Sequence, residues 1–331
     1  MTQPRDILPK VTVAIPVYNN AATLARCINS ATAQTMQNIE IIVVDDSSMD
    51  RGATVAESMA LDDRRIKVIR LPRHRGRPHA LNVAAGVARG EWLAVLGADD
   101  AYLPDRLERL VPEAETRNVN MVADNLLYID FAVGRISRTA FDTTGPSRIL
   151  AMADFLRAAN AYAGFDFGVL KPIVRRRFIK ESGISYYEQT RVAEDFYYML
   201  NFFAAGGRAL LLSAPLYKWT LPSPRHRTGS GQRDYREALR ANEHFAAEMR
   251  ARGMTDVAAM LAVRTQRYRA MVFYSDARRS AAEGRWLRCA AEILFHPTSY
   301  APLASRVVER GRSAVQSLFS RANQRSAQRL L

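Results

Sequence analysis

The stretch "IEIIVVDDSSMD", residues 39–50, decides how this chain is built. From Ile39 to Val44 every residue but Glu40 is apolar and β-branched. A run that short, without polar alternation, reads as a strand covered on both faces, the pattern of a parallel sheet with helices on either side. It ends abruptly on Asp45-Asp46-Ser47-Ser48. In parallel α/β sheets ligands bind beyond the carboxyl ends of the strands, so a polar strand end is where a site is expected.

The neighbouring sequence repeats the theme. Val11–Ile15 is a β-branched run stopped by Pro16, and residues 21–33 place Leu24, Cys27 and Ile28 on one helical face. A helix is predicted over 52–61, a strand over 66–69, an Ala- and Leu-rich helix over 78–88 ended by Gly90, and a strand over 91–96. Strand-helix alternation with short links predicts a mostly parallel sheet flanked by helices. Three strand ends then converge on one edge: Pro16-Val17-Tyr18-Asn19, Asp45-Asp46-Ser47-Ser48 and Gly97-Ala98-Asp99-Asp100. One acidic strand end is commonly a helix cap. Three together, two of them carboxylate pairs, point to a nucleotide-plus-metal site.

Beyond residue 100 the rhythm changes. A helix over 104–117 opens on Pro104, followed by a strand over 120–129 and an irregular stretch over 131–165. A strand over 169–174, a short helix over 175–181 stopped by Gly183, a helix over 194–205 stopped by Gly206-Gly207, and strand segments at 209–213 and 216–220 complete the reading. The domain plan is one α/β unit over 10–222, with a nucleotide-binding half over 10–100 and a second half over 101–222. A flexible loop follows over 223–232, then a helical, basic extension over 233–331. That extension holds helices over 235–252 and 256–283, and an arginine-rich amphipathic tail in which Val308, Val315, Leu318 and Phe319 share a face.

Composition narrows the function classes. Forty-seven Lys and Arg against 33 Asp and Glu give a formal charge of +14, which fits nucleic acid, an anionic membrane or phosphorylated small molecules. No aromatic-basic motif supports nucleic acid, and arginines of the tail supply much of the excess. Cys27 and Cys289 have neither zinc-ligand spacing nor a disulfide framework and read as small buried hydrophobes. No run of about 18 apolar residues is present, and the first residues lack the apolar core of a signal peptide; a cytoplasmic location is expected. The first strand is not followed by GxGxxG, which argues against a dinucleotide-dependent dehydrogenase.

Five segments carry a further resemblance: "VAIPVYNN", "IEIIVVDDSSMD", "HRGRPHALNVAAGVARGEWLAVLGADD", "LKPIVRRRFIKESGI" and "VAEDFYYMLNFFAAGG". In this order and spacing, over about residues 10–220, they resemble the family-2 glycosyltransferases of the GT-A (Rossmann-like) fold. The resemblance implies transfer of one sugar from a UDP-sugar to a glycan or lipid-linked oligosaccharide, with inversion, as in exopolysaccharide or capsule assembly. It implies Mg2+ or Mn2+ at Asp99, which matches the last acid of the family's DxD motif. Relatives usually carry an aspartate where Gly97 stands, so this chain has one acid fewer. Asp100 is then left to cap the next helix.

By the same resemblance Asp46 accepts a hydrogen bond from the uracil ring, bordered by Pro16, Tyr18 and Asn19, and Arg77 offsets phosphate charge. Asn82 is expected to bridge backbone rather than touch ligand. Glu194-Asp195 matches the family's "ED" motif, with Asp195 as the base and Glu194 orienting the acceptor or its neighbours. His226, between Arg225 and Arg227, is assigned to the diphosphate or the metal, against the plainer reading of a solvated basic loop. Asp124 and Asp166 are placed on the acceptor side. Processive relatives combine transmembrane helices with QxxRW, and neither is found here, so a single transfer per encounter is implied. The basic tail suggests docking on the anionic inner face of the cell membrane. A GT-A domain that binds nucleotide-sugar without catalysis is the competing reading; the acids at 46, 99, 194 and 195 weigh against it.

Overall fold

The computed structural model describes residues 8–130, 135–160, 165–221 and 235–285. The chain divides into two compact units, Met1–Arg233 and Asp234–Leu331. The first begins with the anticipated alternation: β1 (Val11–Val17), α1 (Ala21–Thr32), β2 (Ile39–Asp45), α2 (Gly52–Asp62), β3 (Ile66–Arg70), α3 (Arg77–Val87) and β4 (Trp92–Val95). β1 pairs in parallel with both β2 and β4, and β2 with β3. Every residue of β1 and β2 is buried. α1 buries Leu24, Cys27, Ile28 and Ala31, the spacing of one helical stripe.

Pro16 does not stop β1, which continues to Val17. Ala14 gives its carbonyl to Leu96, whereas Val17 gives its carbonyl to Asp46. Alternation therefore turns Pro16 toward β4, whose pairing with β1 has already ended at Ala14–Val95. Its missing N–H is lost from no ladder. Gly90 is not the cap of α3 either, since the helix ends at Val87. A Cβ at 90 would lie 2.4 Å from the Thr12 backbone nitrogen, so only glycine lets the chain pass there.

The remainder of the unit is β5 (Ala101–Tyr102), α4 (Arg106–Thr116), β6 (Met121–Asp130), β7 (Ile136–Thr139), β8 (Arg148–Leu150), α5 (Met152–Asn160), β9 (Ile173–Arg175), α6 (Arg176–Ser182), α7 (Glu194–Ala204) and β10 (Ala209–Leu221). The sheet order is β3-β2-β1-β4-β9-β6-β10-β5, with β7 on β6 and β8 on β10. β9 runs antiparallel to both β4 and β6, so the residues before it return to the edge where β4 ends. The stretch read as irregular thus holds two strands and a helix. β7 is almost wholly exposed and owes its form to pairing with β6, while α5 is fixed by Phe155 stacking on Phe196.

The strand predicted over 169–174 shrinks to Ile173–Arg175, because residues 167–169 form a 3-10 turn and Pro172 donates no hydrogen bond. The segments at 209–213 and 216–220 are one strand, with register shifts around Pro215 that absorb the proline as a bulge.

In the second unit, α8 (Tyr235–Ala251) and α9 (Thr255–Ala282) form a hairpin turned at Gly253, whose φ is +75°. α8 buries Ala238, Ala241, Phe245 and Met249. Asn242 donates to the Leu261 carbonyl and the Thr265 hydroxyl, both at 2.8 Å, tying the helices together. No described helix is long and apolar enough to cross a membrane. The 223–232 loop with His226, and the tail beyond 285, lie outside the described residues.

Candidate active site

Because β1, β2 and β4 are parallel, their carboxyl ends share an edge, and the three polar stretches meet there. The backbone at this edge is unusual. Four described non-glycine residues have left-handed φ, and three of them, Asn19 (53°), Ser47 (62°) and Ala193 (61°), border these strand ends or the acids of α7. Each such residue costs on the order of 1–2 kcal/mol, a cost that gathers at functional sites. Local bonds hold them. The Asn19 backbone N–H donates to Ser48 Oγ at 3.0 Å, and Asn19 Oδ1 accepts from Met49 N at 2.8 Å.

Asp46 is 2% exposed and grips the loop after β3. Its Oδ1 accepts from Arg75 N at 2.8 Å and its Oδ2 from Gly76 N at 2.7 Å. His74 Nδ1 stands 2.8 Å from Oδ2, and the His74 ring stacks on half-exposed Tyr18 at 3.9 Å between centroids. Pro16 is buried at the end of β1, below Tyr18.

The acid pair at 99–100 divides sharply. Asp99 is exposed, and among the described residues its carboxylate has no protein partner; only its backbone carbonyl is used, by Arg26 at 2.5 Å. Asp100 does not cap α4. It is buried, accepting from Tyr217 Oη at 2.6 Å and Thr220 N at 2.9 Å, and so fastens β10 to the end of β4. Burial first, and Asp99 next, push its carboxyl up to about 7. Tyr217 Oη also accepts from Gly97 N at 3.0 Å.

This geometry explains Gly97. A Cβ there would lie 2.6 Å from Asp100 Oδ2 and 3.2 Å from Asp99 Oδ1. Because Asp100 is held by two bonds, it cannot simply swing aside. Gly97→Ala is expected to cost about 1–3 kcal/mol of stability, as overpacking does, read by denaturant unfolding. In the background of Asp100→Ala the penalty should largely vanish; an equal penalty there would place the collision elsewhere.

The second acid pair opens α7. Glu194 and Asp195 occupy its first turn, where the helix dipole favours negative charge. Arg77 reaches them from α3: Nη1 is 2.5 Å from Glu194 Oε1 and 3.1 Å from Asp195 Oδ1. Arg77 is therefore not turned to open solvent at the nucleotide edge; it joins the two halves of the site. Its Nη2 is buried and has no hydrogen-bond partner among the described residues. Lys171, just before β9, also donates to Asp195 Oδ2. Burial acts to raise the Asp195 carboxyl, but Arg77 and then Lys171 outweigh it and hold it below the ordinary carboxylate range.

The two acids placed on the acceptor side are structural here. Asp124 is 1% exposed and ion-paired to Arg106, itself 0% exposed, with Nη2–Oδ1 at 2.7 Å. Asp166 accepts from Gly168 N at 2.9 Å and caps the 3-10 turn. Asn82 bridges backbone, bonding to both the carbonyl and the N–H of Tyr186. Sequence reasoning passed over His74, Lys171 and Tyr217. Lys171 and His74 stand inside motifs quoted for the resemblance, at strand ends or next to them, and that position is the signal that could have found them.

Among the described residues no three His, Cys, Asp or Glu side chains gather as a metal-binding group. One open carboxylate, Asp99, nevertheless suits Mg2+ or Mn2+ in a diphosphate site, where substrate phosphates and water supply most oxygens. The charge of Asp99, which adds to burial in raising Asp100, is also what a cation would relieve.

Acids gathered at the carboxyl ends of parallel strands mark the edge at which α/β proteins bind ligands. The chain matches the glycosyl transferase family 2 model over residues 12–179, half its length, and belongs to that family. It is similar to the succinoglycan biosynthesis protein ExoO of Rhizobium meliloti (strain 1021), 37% identical over 206 residues, 61% of this chain and 58% of ExoO. It is 31% identical to ExoU of the same organism over 239 residues, 70% of this chain and 68% of ExoU. The chain thus spans less than two thirds of ExoO. Among solved structures, S. aureus TarS 1-349 in complex with UDP-GlcNAc shares the fold, with a TM-score of 0.60, 20% identity, and coverage of 72% of this chain and 66% of that one.

Proposed function

We propose that this chain is an inverting, non-processive glycosyltransferase that moves one sugar from a UDP-sugar to a glycan, carried on a lipid, in exopolysaccharide or capsule biosynthesis. The observation that carries the reading is the Arg77 bridge. It ties Glu194-Asp195, the acids proposed for the acceptor side, to the start of α3, next to the loop that Asp46 holds. The relatives named for succinoglycan biosynthesis support the pathway class, and the UDP-GlcNAc held by TarS supports the donor class.

On this reading the uracil ring stacks on Tyr18 and bonds Asp46, the contacts that His74 makes in this structure. Asn19 and Pro16 border the base. Arg77, held in this bridge with Nη2 buried, is proposed to offset diphosphate charge through its guanidinium field rather than by a direct bond from Nη2. Asp195 takes the proton of the acceptor hydroxyl as its oxygen attacks the anomeric carbon, while the bond from that carbon to the diphosphate breaks. Asp99 would hold Mg2+ or Mn2+, which when bound stabilises charge on the departing diphosphate. His226 is proposed for the same diphosphate, and the basic tail for an anionic membrane surface.

The test is a panel of UDP-, GDP- and dTDP-sugars with manganese, following nucleotide release and calorimetric binding. Selective binding and turnover of UDP-sugars is expected. Binding without turnover on any donor would favour a nucleotide-sugar-binding protein. EDTA should stop transfer and added manganese restore it; full activity in EDTA would remove the metal from the reaction.

A further inference from the structure

Lys171 is unusually constrained for a lysine. Its side chain is 12% exposed, and its ammonium is bonded to Asp195 Oδ2. The backbone is fixed from two sides. Pro172 follows it, which restricts residue 171 to extended conformations. Its carbonyl accepts from Arg106 Nη2 at 2.7 Å, and Arg106 is locked in the core by Asp124. The ammonium also lies 6.0 Å from the centre of the Trp219 ring, on the strand that Asp100 fastens. A cation has thus been built into the wall between the two acid pairs.

The groups around Asp195 come from each element packed on it. Arg77 arrives from α3, Lys171 from the segment before β9, Glu194 from α7 itself, and the Tyr186 phenol from the segment leading into α7. Arg77 divides one nitrogen between Glu194 and Asp195, whereas among the described residues Asp195 is the one carboxylate bonded to Lys171. Removing Arg77 would free both acids and disturb the donor edge. Removing the Lys171 ammonium breaks its one carboxylate bond, that to Asp195, and also withdraws a positive charge that Asp100 feels.

We propose that Lys171 is a positioning residue for the acceptor base: it fixes the Asp195 carboxylate against the donor edge and sets the pH at which that carboxylate can take a proton. The role rests on the reading of Asp195 as the base. The sign follows from charge. A neighbouring cation favours the ionised carboxylate, so losing it raises the pH below which Asp195 is protonated and idle. An opposite charge at bonding distance moves a carboxyl by about one to three pH units.

The experiment separates this proposal from the reading it rests on. The protein is labelled with 13C at aspartate carboxyls and titrated without ligand, with the Asp195 signal assigned through Asp195→Asn. In Lys171→Met the Asp195 midpoint should rise by about one pH unit or more, and Lys171→Arg should return it close to wild type. A midpoint unchanged in Lys171→Met overturns the proposal, and so does a loss of affinity for UDP with manganese at an unchanged midpoint. Lys171→Gln replaces the methionine variant if that one fails to fold. The acid limb of kcat/KM, followed as UDP release from a UDP-sugar turned over by the wild type, should move upward with the midpoint. A midpoint that moves while the limb stays put leaves the Lys171 clamp standing and removes Asp195 as the base.

Discussion

With Asp195 as the proposed base, Asp195→Asn is expected to lower kcat by about 10²–10⁴, the range for loss of a general base, and to leave UDP affinity within a few-fold of wild type. The substitution keeps the side chain's shape and its place at the head of α7. It abolishes the charge that Arg77 and Lys171 hold, and with it the basicity needed to take the hydroxyl proton. UDP affinity should survive because the residues proposed to hold UDP, Tyr18, Asp46 and Asp99, are not the groups bonded to Asp195. The activity should also fall as pH drops through the Asp195 pKa, which the two cations hold below the usual carboxylate range; only the ionised form accepts a proton. Rates of UDP release and calorimetry with UDP and manganese check both halves. A variant with activity within a few-fold of wild type would move the base elsewhere, with Glu194 the next group to test.

The largest expected loss of stability is elsewhere. Asp124→Ala should cost about 3–5 kcal/mol, because it strands a buried guanidinium. Total stabilities of about 5–15 kcal/mol make that a large fraction. Arg106 is 0% exposed, lies 4.2 Å from the centre of the Tyr102 ring, and has one nitrogen, Nη1, already without a hydrogen-bond partner among the described residues. Burial works against its charge, but Asp124 outweighs burial and holds it above its ordinary range. Replacing both residues together, Arg106→Met with Asp124→Leu, should recover most of the loss, since well-packed apolar groups substitute for buried ion pairs. Urea unfolding of the three variants measures this. Full stability in Asp124→Ala would show that water or another group reaches Arg106.

The parts of the fold that could be read in advance are those in which local pattern and tertiary context agree. Ile39–Asp45 is apolar because it is buried on both faces, and its neighbours β1 and β4 follow the same rule. β7 has no such signature. Ile136-Ser137-Arg138-Thr139 becomes a strand only because β6 offers a ladder. For the site, residue type pointed to the acids, but not to what they face. Asp99 and Asp100 are adjacent and identical in sequence, yet one is exposed and the other is buried under Tyr217, a residue 117 positions away. Arg77 and Glu194 are likewise 117 positions apart. Partnerships over such separations leave no local trace, which is why Asp124 reads as a pocket residue until Arg106 is seen beside it.

For protein engineering, Gly97, Asp100 and Tyr217 form an indivisible cassette. Relatives that carry an aspartate at the position of Gly97 invite a one-letter graft to strengthen cation binding. In this chain the new side chain would begin 2.6 Å from a carboxylate already anchored to β10. The transplant has to bring its own surroundings at 100 and 217, and a library that varies position 97 alone samples a combination this scaffold does not accommodate.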